Sequence, residues 1–231
     1  MAVFMKPFTK FGFERIFGQE NHKRILVNFL NDVFEGKYHI DNVNYRDSAA
    51  IQGPEREQRV IHSVLCAFDD GTPIILEWQT KDIVENFMNR VHYFQGAAIN
   101  AQIRTVNNWE HIPLYVYILD FVREELDDQF RVDHAIGMKL VSGIPDEHDK
   151  MFSDEMERMA FFQLPKFTKT QAECITAIDR WIYILKNMQD LEVIPWSDEN
   201  EVFAELAQVA RLDALTPEEL RAYEASEAVT N

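Results

Sequence analysis

The chain has 231 residues, 46% of them hydrophobic and 27% charged, with a net charge of −16 at neutral pH. That length supports a sizeable core without disulfide or metal staples, and no apolar run nears the roughly 18 residues that a membrane span needs. The charge is uneven, −2 over residues 1–110 and −14 over 111–231, so the second half reads as a solvated acidic surface that repels phosphate, and any nucleic-acid contact falls to the first half.

Helices come first. Phe11 to Phe17 is short and aromatic and ends at Gly18. Asn21 to Phe34 carries Ile25, Leu26, Phe29, Leu30 and Phe34 on one apolar stripe and stops before Gly36. Ile40 to Tyr45 alternates as a strand does, and the polar stretch from Asp47 to Arg59 reads as a loop. Arg59 to Phe68 and Pro73 to Gln79 are β-rich runs around Asp69-Asp70-Gly71. A three-residue loop with glycine third favours a type I turn and a bulge. Such a loop sets Phe68 against Thr72 and, counting back, Ser63 opposite Glu77. A two-residue loop would shift the register by one and put them on opposite faces.

Ile83 to Val106 is expected as a long helix with Phe87, Val91, Phe94, Ala98 and Ile99 as its apolar stripe. Leu114 to Phe121 is almost wholly apolar and reads as a central strand. Phe130 to Val141 is one bent strand or two short ones, and Ala160 to Leu164 is a strand stopped by Pro165. Thr168 to Met188 reads as a helix capped by Thr168 or Thr170, with Ile175, Ile178, Trp181, Ile182 and Leu185 inside. Glu201 to Ala210 and Pro217 to Ala228 close the chain as acidic helices, the last with Thr216, Pro217 and Glu219 in a capping pattern. This order implies a mixed sheet with helices on its faces.

The candidate chemistry centres on Glu77, which interrupts the apolar strand. A carboxylate there costs several kcal/mol unless paired, metal-bound or protonated. It is either salt-bridged at a strand edge or functional. Gln79, two residues on, points the same way, whereas His62 points away from Ser63, which makes a Ser-His nucleophile pair geometrically poor. Asp69 and Asp70 belong to the turn. The histidines show no metal-ligand spacing, and no glycine-rich phosphate loop calls for a nucleotide cofactor. Cys66 and Cys174 lie in apolar surroundings and read as buried, reduced thiols of a cytoplasmic protein. The first 13 residues lack the features of a secretory signal.

Several short motifs follow one another along nearly the whole chain. They are Phe13-Glu14-Arg15-Ile16-Phe17-Gly18, Phe29-Leu30-Asn31, the hairpin ending Glu77-Trp78-Gln79, Phe87-Met88-Asn89-Arg90 with Gln102 twelve residues on, Leu164-Pro165-Lys166-Phe167, Trp181-Ile182-Tyr183 and Leu215-Thr216-Pro217-Glu218-Glu219. Together they resemble the Rpn-type, transposase-associated branch of the PD-(D/E)XK nuclease superfamily. The resemblance implies an α/β, restriction-endonuclease-like fold over residues 1–190, a mixed central sheet flanked by helices, with residues 191–231 as an acidic helical extension. It also implies a metal-dependent DNA endonuclease. An aspartate on one strand and a glutamate on the next hold Mg²⁺, the following polar residue (here Gln79) positions water, and an acidic residue on the first helix completes the site. Arg90 and Gln102 are the nucleic-acid-binding candidates, although Arg90 can equally pair with Asp82 or Glu85.

The departures fall at the centre of this pattern. Ser63 stands fourteen residues before Glu77, where the resemblance expects aspartate. Lys10 replaces the first-helix acid, Glu14 replaces a lysine, and Gly96-Ala97 replaces a polar pair. One carboxylate beside one ammonium holds a dication weakly. The expectation is therefore a catalytically impaired relative that binds DNA or protein. In it, the Lys10 ammonium fills the place of the metal beside Glu77; Glu77 is the metal ligand only if a metal binds, and the Mg²⁺ that the resemblance implies is then not needed. The alternative is an active Mg²⁺-dependent endonuclease that uses Glu77, Gln79 and a migrated carboxylate such as Asp47 or Glu57. DNA and a second copy of the chain are the partners considered; no membrane is expected.

Overall fold

Phenylalanine and tryptophan at helical spacing build one of two units. The computed structural model describes residues 2–34, 39–46, 61–69, 72–79, 96, 116–122, 136–139 and 157–230. They divide into a helical unit, Met1–Val43 with Phe167–Asn231, and a sheet unit, Asn44–Lys166.

The helical unit contains α1 (Lys10–Phe17), α2 (Lys23–Phe34), α3 (Ala177–Asn187), α4 (Glu201–Val209) and α5 (Pro217–Thr230). Its core is a chain of rings. Phe13 meets Phe17 at 5.3 Å, Phe17 meets Phe29 at 5.5 Å, Phe29 meets Trp181 at 5.5 Å, and Trp181 meets Phe203 at 5.0 Å between centroids. All five are buried, and burying each stabilises by about 1.5–3 kcal/mol. The indole Nε1 of Trp181 donates to Asp32 at 2.8 Å, as a buried indole requires.

The start of α1 is closed by its own cap and by the far end of the chain. Thr9 Oγ1 accepts from the Gly12 N–H at 3.0 Å. A Cβ at Gly12 would fall 2.2 Å from the Lys6 carbonyl oxygen, so only glycine fits this close approach. The Phe11 N–H, which has no acceptor within its helix, donates to Ser226 Oγ at 3.0 Å, and the Lys6 N–H donates to the Tyr223 hydroxyl at 3.0 Å. Arg15 binds Glu219 at 2.6 Å and the Val209 carbonyl at 3.2 Å. Residues 191–230 thus belong to the unit that holds the N-terminal helices.

Two local expectations need correction. The helix expected from Thr168 starts only at Ala177. Thr170 and Glu173 close a separate 3-10 turn over Gln171–Glu173, and Thr176 with Asp179 forms the cap that starts α3. Ile175, expected inside, therefore lies between the two turns and is 83% exposed. The strand expected over Ile40 to Tyr45 shrinks to Asn44–Tyr45. The Asn31 side chain instead pairs with the Ile40 backbone, donating to its carbonyl and accepting from its N–H, both at 2.9 Å. By contrast, the Thr216–Glu219 cap forms as read, with bonds of 2.8 and 3.2 Å.

The sheet unit holds β1 (Asn44–Tyr45), β2 (Ile61–Ala67), β3 (Pro73–Gln79), β4 (Val116–Val122), β5 (Ile136–Lys139) and β6 (Glu157–Gln163) in the order β1-β2-β3-β4-β6-β5. The first three strands are antiparallel, β3, β4 and β6 run parallel, and β5 returns antiparallel to β6. The mixed sheet follows from chain economy, since a tight hairpin joins β2 to β3 whereas a parallel neighbour needs a long crossover. The Phe68 N–H donates to the Thr72 carbonyl at 2.9 Å, which closes the hairpin in the expected register. The helix expected over Ile83 to Val106 lies outside the described residues except for Gly96, which is helical and exposed.

Candidate functional site

Each strand places alternate residues on opposite faces, so the register sorts the sheet. One face receives Leu76, Trp78, Leu119, Phe121 and Phe162, all buried. On it Phe121 stacks on Phe162 at 4.9 Å. The other face is polar at its middle. Ser63 is the register partner of Glu77, as the hairpin loop predicts, and Glu77 is in turn the partner of Asp120 on β4. Ser63, Glu77 and Asp120 therefore form one rung across three strands. Gln79 lies two residues beyond Glu77 on the same face. Gln163, 0% exposed, lies there too, two residues past Phe161, the β6 partner of Asp120.

Glu77 is also 0% exposed. It sits inside β3, where Pro73 to Trp78 are all buried, so both faces of this strand are covered. A carboxylate in that position is desolvated, and the register sets an acidic residue, Asp120, next to it on the adjacent strand.

His62 pairs with Trp78 in register, which puts it on the face away from Ser63. Asp69 is exposed at the turn and accepts from Asn44 Nδ2 at 3.2 Å. Lys10 opens α1 in the helical unit and is exposed. Burial pushes the Glu14 carboxyl above its ordinary pKa, while the Lys10 ammonium one turn away draws it down. Arg90, Gln102, Ala97, Asp47, Glu55, Glu57 and Asp70 lie outside the described residues. Cys66 and Cys174 are buried and free. Desolvation pushes the Cys66 thiol up to about 12, which removes it as a nucleophile.

Asp120 and Gln163 were missed in the sequence reading. The signal for Asp120 was present, since it is a charged residue interrupting an apolar run, as Glu77 is. Its place beside Glu77, however, depends on the parallel register of β3 and β4, which no local pattern encodes.

Among the described residues, no three His, Cys, Asp or Glu side chains gather to hold a metal ion. A hard cation such as Mg²⁺ asks for less, namely one or two carboxylates completed by water and substrate phosphate. Carboxylate, hydroxyl and amide oxygens are hard donors, and Cys66 falls on the opposite face of β2 from Ser63. The donor types on this face fit Mg²⁺ or Mn²⁺ rather than a soft metal.

A family model described as PD-(D/E)XK nuclease family transposase matches residues 7–230, and the chain belongs to this family. No curated protein and no solved structure matches it. Among the described residues, no helix is long and apolar enough to cross a membrane.

Proposed function

We propose that the chain is a divalent-metal-dependent DNA endonuclease centred on Glu77 and Gln79, with a second carboxylate drawn from outside the family's usual position. The observation that supports this most is Glu77 itself, a carboxylate at 0% exposure inside an apolar strand, with Ser63 in register beside it. An apolar residue there would serve stability as well or better, so retention of the charge is best explained by chemistry. Family membership supplies the class of reaction.

On this reading Glu77 holds the cation and Gln79, two residues along the same face, orients the attacking water by hydrogen bonding. Ser63 contributes only a neutral hydroxyl. The cation, when bound, would activate that water and offset charge at the scissile phosphate. Arg90 and Gln102 are the proposed contacts to DNA.

A second reading, a binding protein with a silenced site, is favoured by the neutral Ser63 in the Glu77 register and by Lys10 at the family's acidic position. A plasmid-nicking assay with Mg²⁺ or Mn²⁺ separates the two. Metal-dependent nicking that disappears in Glu77→Ala supports the endonuclease. DNA binding with no nicking by the wild type supports the silent relative.

A further inference from the structure

We infer that Asp120 has taken over the cation-binding role that the family gives to the position of Ser63, so that the site has moved one strand across the sheet, from β2–β3 to β3–β4. This rests on the endonuclease reading. The register carries the inference. Glu77 sits in the middle of a rung, with Ser63 as its partner on one side and Asp120 on the other. Neighbouring strands lie about 4.8 Å apart, so an acidic residue on either side stands at the same backbone spacing from Glu77. Charge lost on the β2 side is therefore recovered on the β4 side without disturbing Glu77.

Two further features agree with a displaced site. Gln163, 0% exposed, lies on the same face as Asp120, two residues past its β6 partner Phe161, whereas the residues two and four past Ser63 on β2 are the buried Leu65 and Ala67. Asp120 also lies on β4, which has a strand on each side.

Calorimetric titration with Mn²⁺ alone tests the inference on the full chain, with thermal melts to confirm folding. The expected result is one site in the wild type, no binding in Glu77→Gln, and affinity lowered more than about 10-fold in Asp120→Asn, since losing a ligand should cost at least as much as losing an outer-shell partner. Adding Ser63→Asp to Asp120→Asn should recover most of the affinity. Wild-type affinity in Asp120→Asn, with binding still lost in Glu77→Gln, overturns the relocation and leaves the endonuclease reading intact. No binding by the wild type overturns both. Should Asp120→Asn fail to fold, Asp120→Cys decides. A thiolate ligand shifts preference from Mn²⁺ toward Cd²⁺ by more than about 10-fold, and an unchanged preference rejects Asp120 as a ligand.

Discussion

Each unit contains a buried carboxylate, and the two are held for different reasons. Asp179 in the helical unit is 3% exposed. Both its oxygens accept from the Lys169 ammonium at 2.7 Å, and it closes the cap of α3 with Thr176. Its partners explain it completely as a structural residue. Glu77 in the sheet unit is 0% exposed, and its register partners are a serine on β2 and an aspartate on β4. The contrast teaches that a buried charge has to be judged by what shares its face. A carboxylate beside an ammonium and a helix start is architecture, and a carboxylate with an acidic register partner is where we propose a cation.

The sharpest way to break this comparison is to remove each carboxylate in turn. Glu77→Ala should lower metal-dependent nicking by at least about 100-fold, the scale of losing a principal electrostatic element of a site. Glu77→Gln should leave the melting temperature unchanged or raised, because an uncharged side chain avoids the desolvation cost. A large fall in melting temperature for Glu77→Gln would make Glu77 structural and erase the contrast.

The helical unit should respond in the opposite sense, through stability. Trp181→Ala should cost about 3–5 kcal/mol, read by urea denaturation, because it removes the ring shared by Phe29 and Phe203 and leaves Asp32 without its indole donor. Gly12→Ala should cost about 1–3 kcal/mol as an overpacking change, since the new methyl would meet the Lys6 carbonyl.

The smallest effect is one of pH. Burial pushes the Asp179 carboxyl up, but hydrogen bonds from Lys169 and Thr176 outweigh it and hold the group below its ordinary pKa. A depressed folded pKa means stability that is present above the unfolded value near 3.8 and lost as pH falls through the lower folded value. Asp179→Asn should therefore flatten the acid limb of a stability-versus-pH curve and change little in its dependence above pH 5. An acid limb identical to the wild type would show that Asp179 does not carry it.

Local signals were legible where they were complete within a few residues. The Asp69-Asp70-Gly71 loop was enough to set Ser63 against Glu77, because hairpin length fixes register. Thr216 and Glu219 were enough to start α5. The reading failed where two such signals competed. Thr168 and Thr170 read as helix starts, whereas Thr176 caps the helix, and packing of Trp181 and Ile182 into the core goes with that later start, which strands Ile175 in solvent.

By itself the chain's order of residues determined the β2–β3 pairing, the cap of α5, the aromatic stripes of the helices and the oddity of a glutamate in an apolar strand. All of these depend on neighbours within a turn or a hairpin. Tertiary structure alone decided that Asp120 stands beside Glu77. The register of two parallel strands is set by how a long crossover packs, and nothing local to either strand records it.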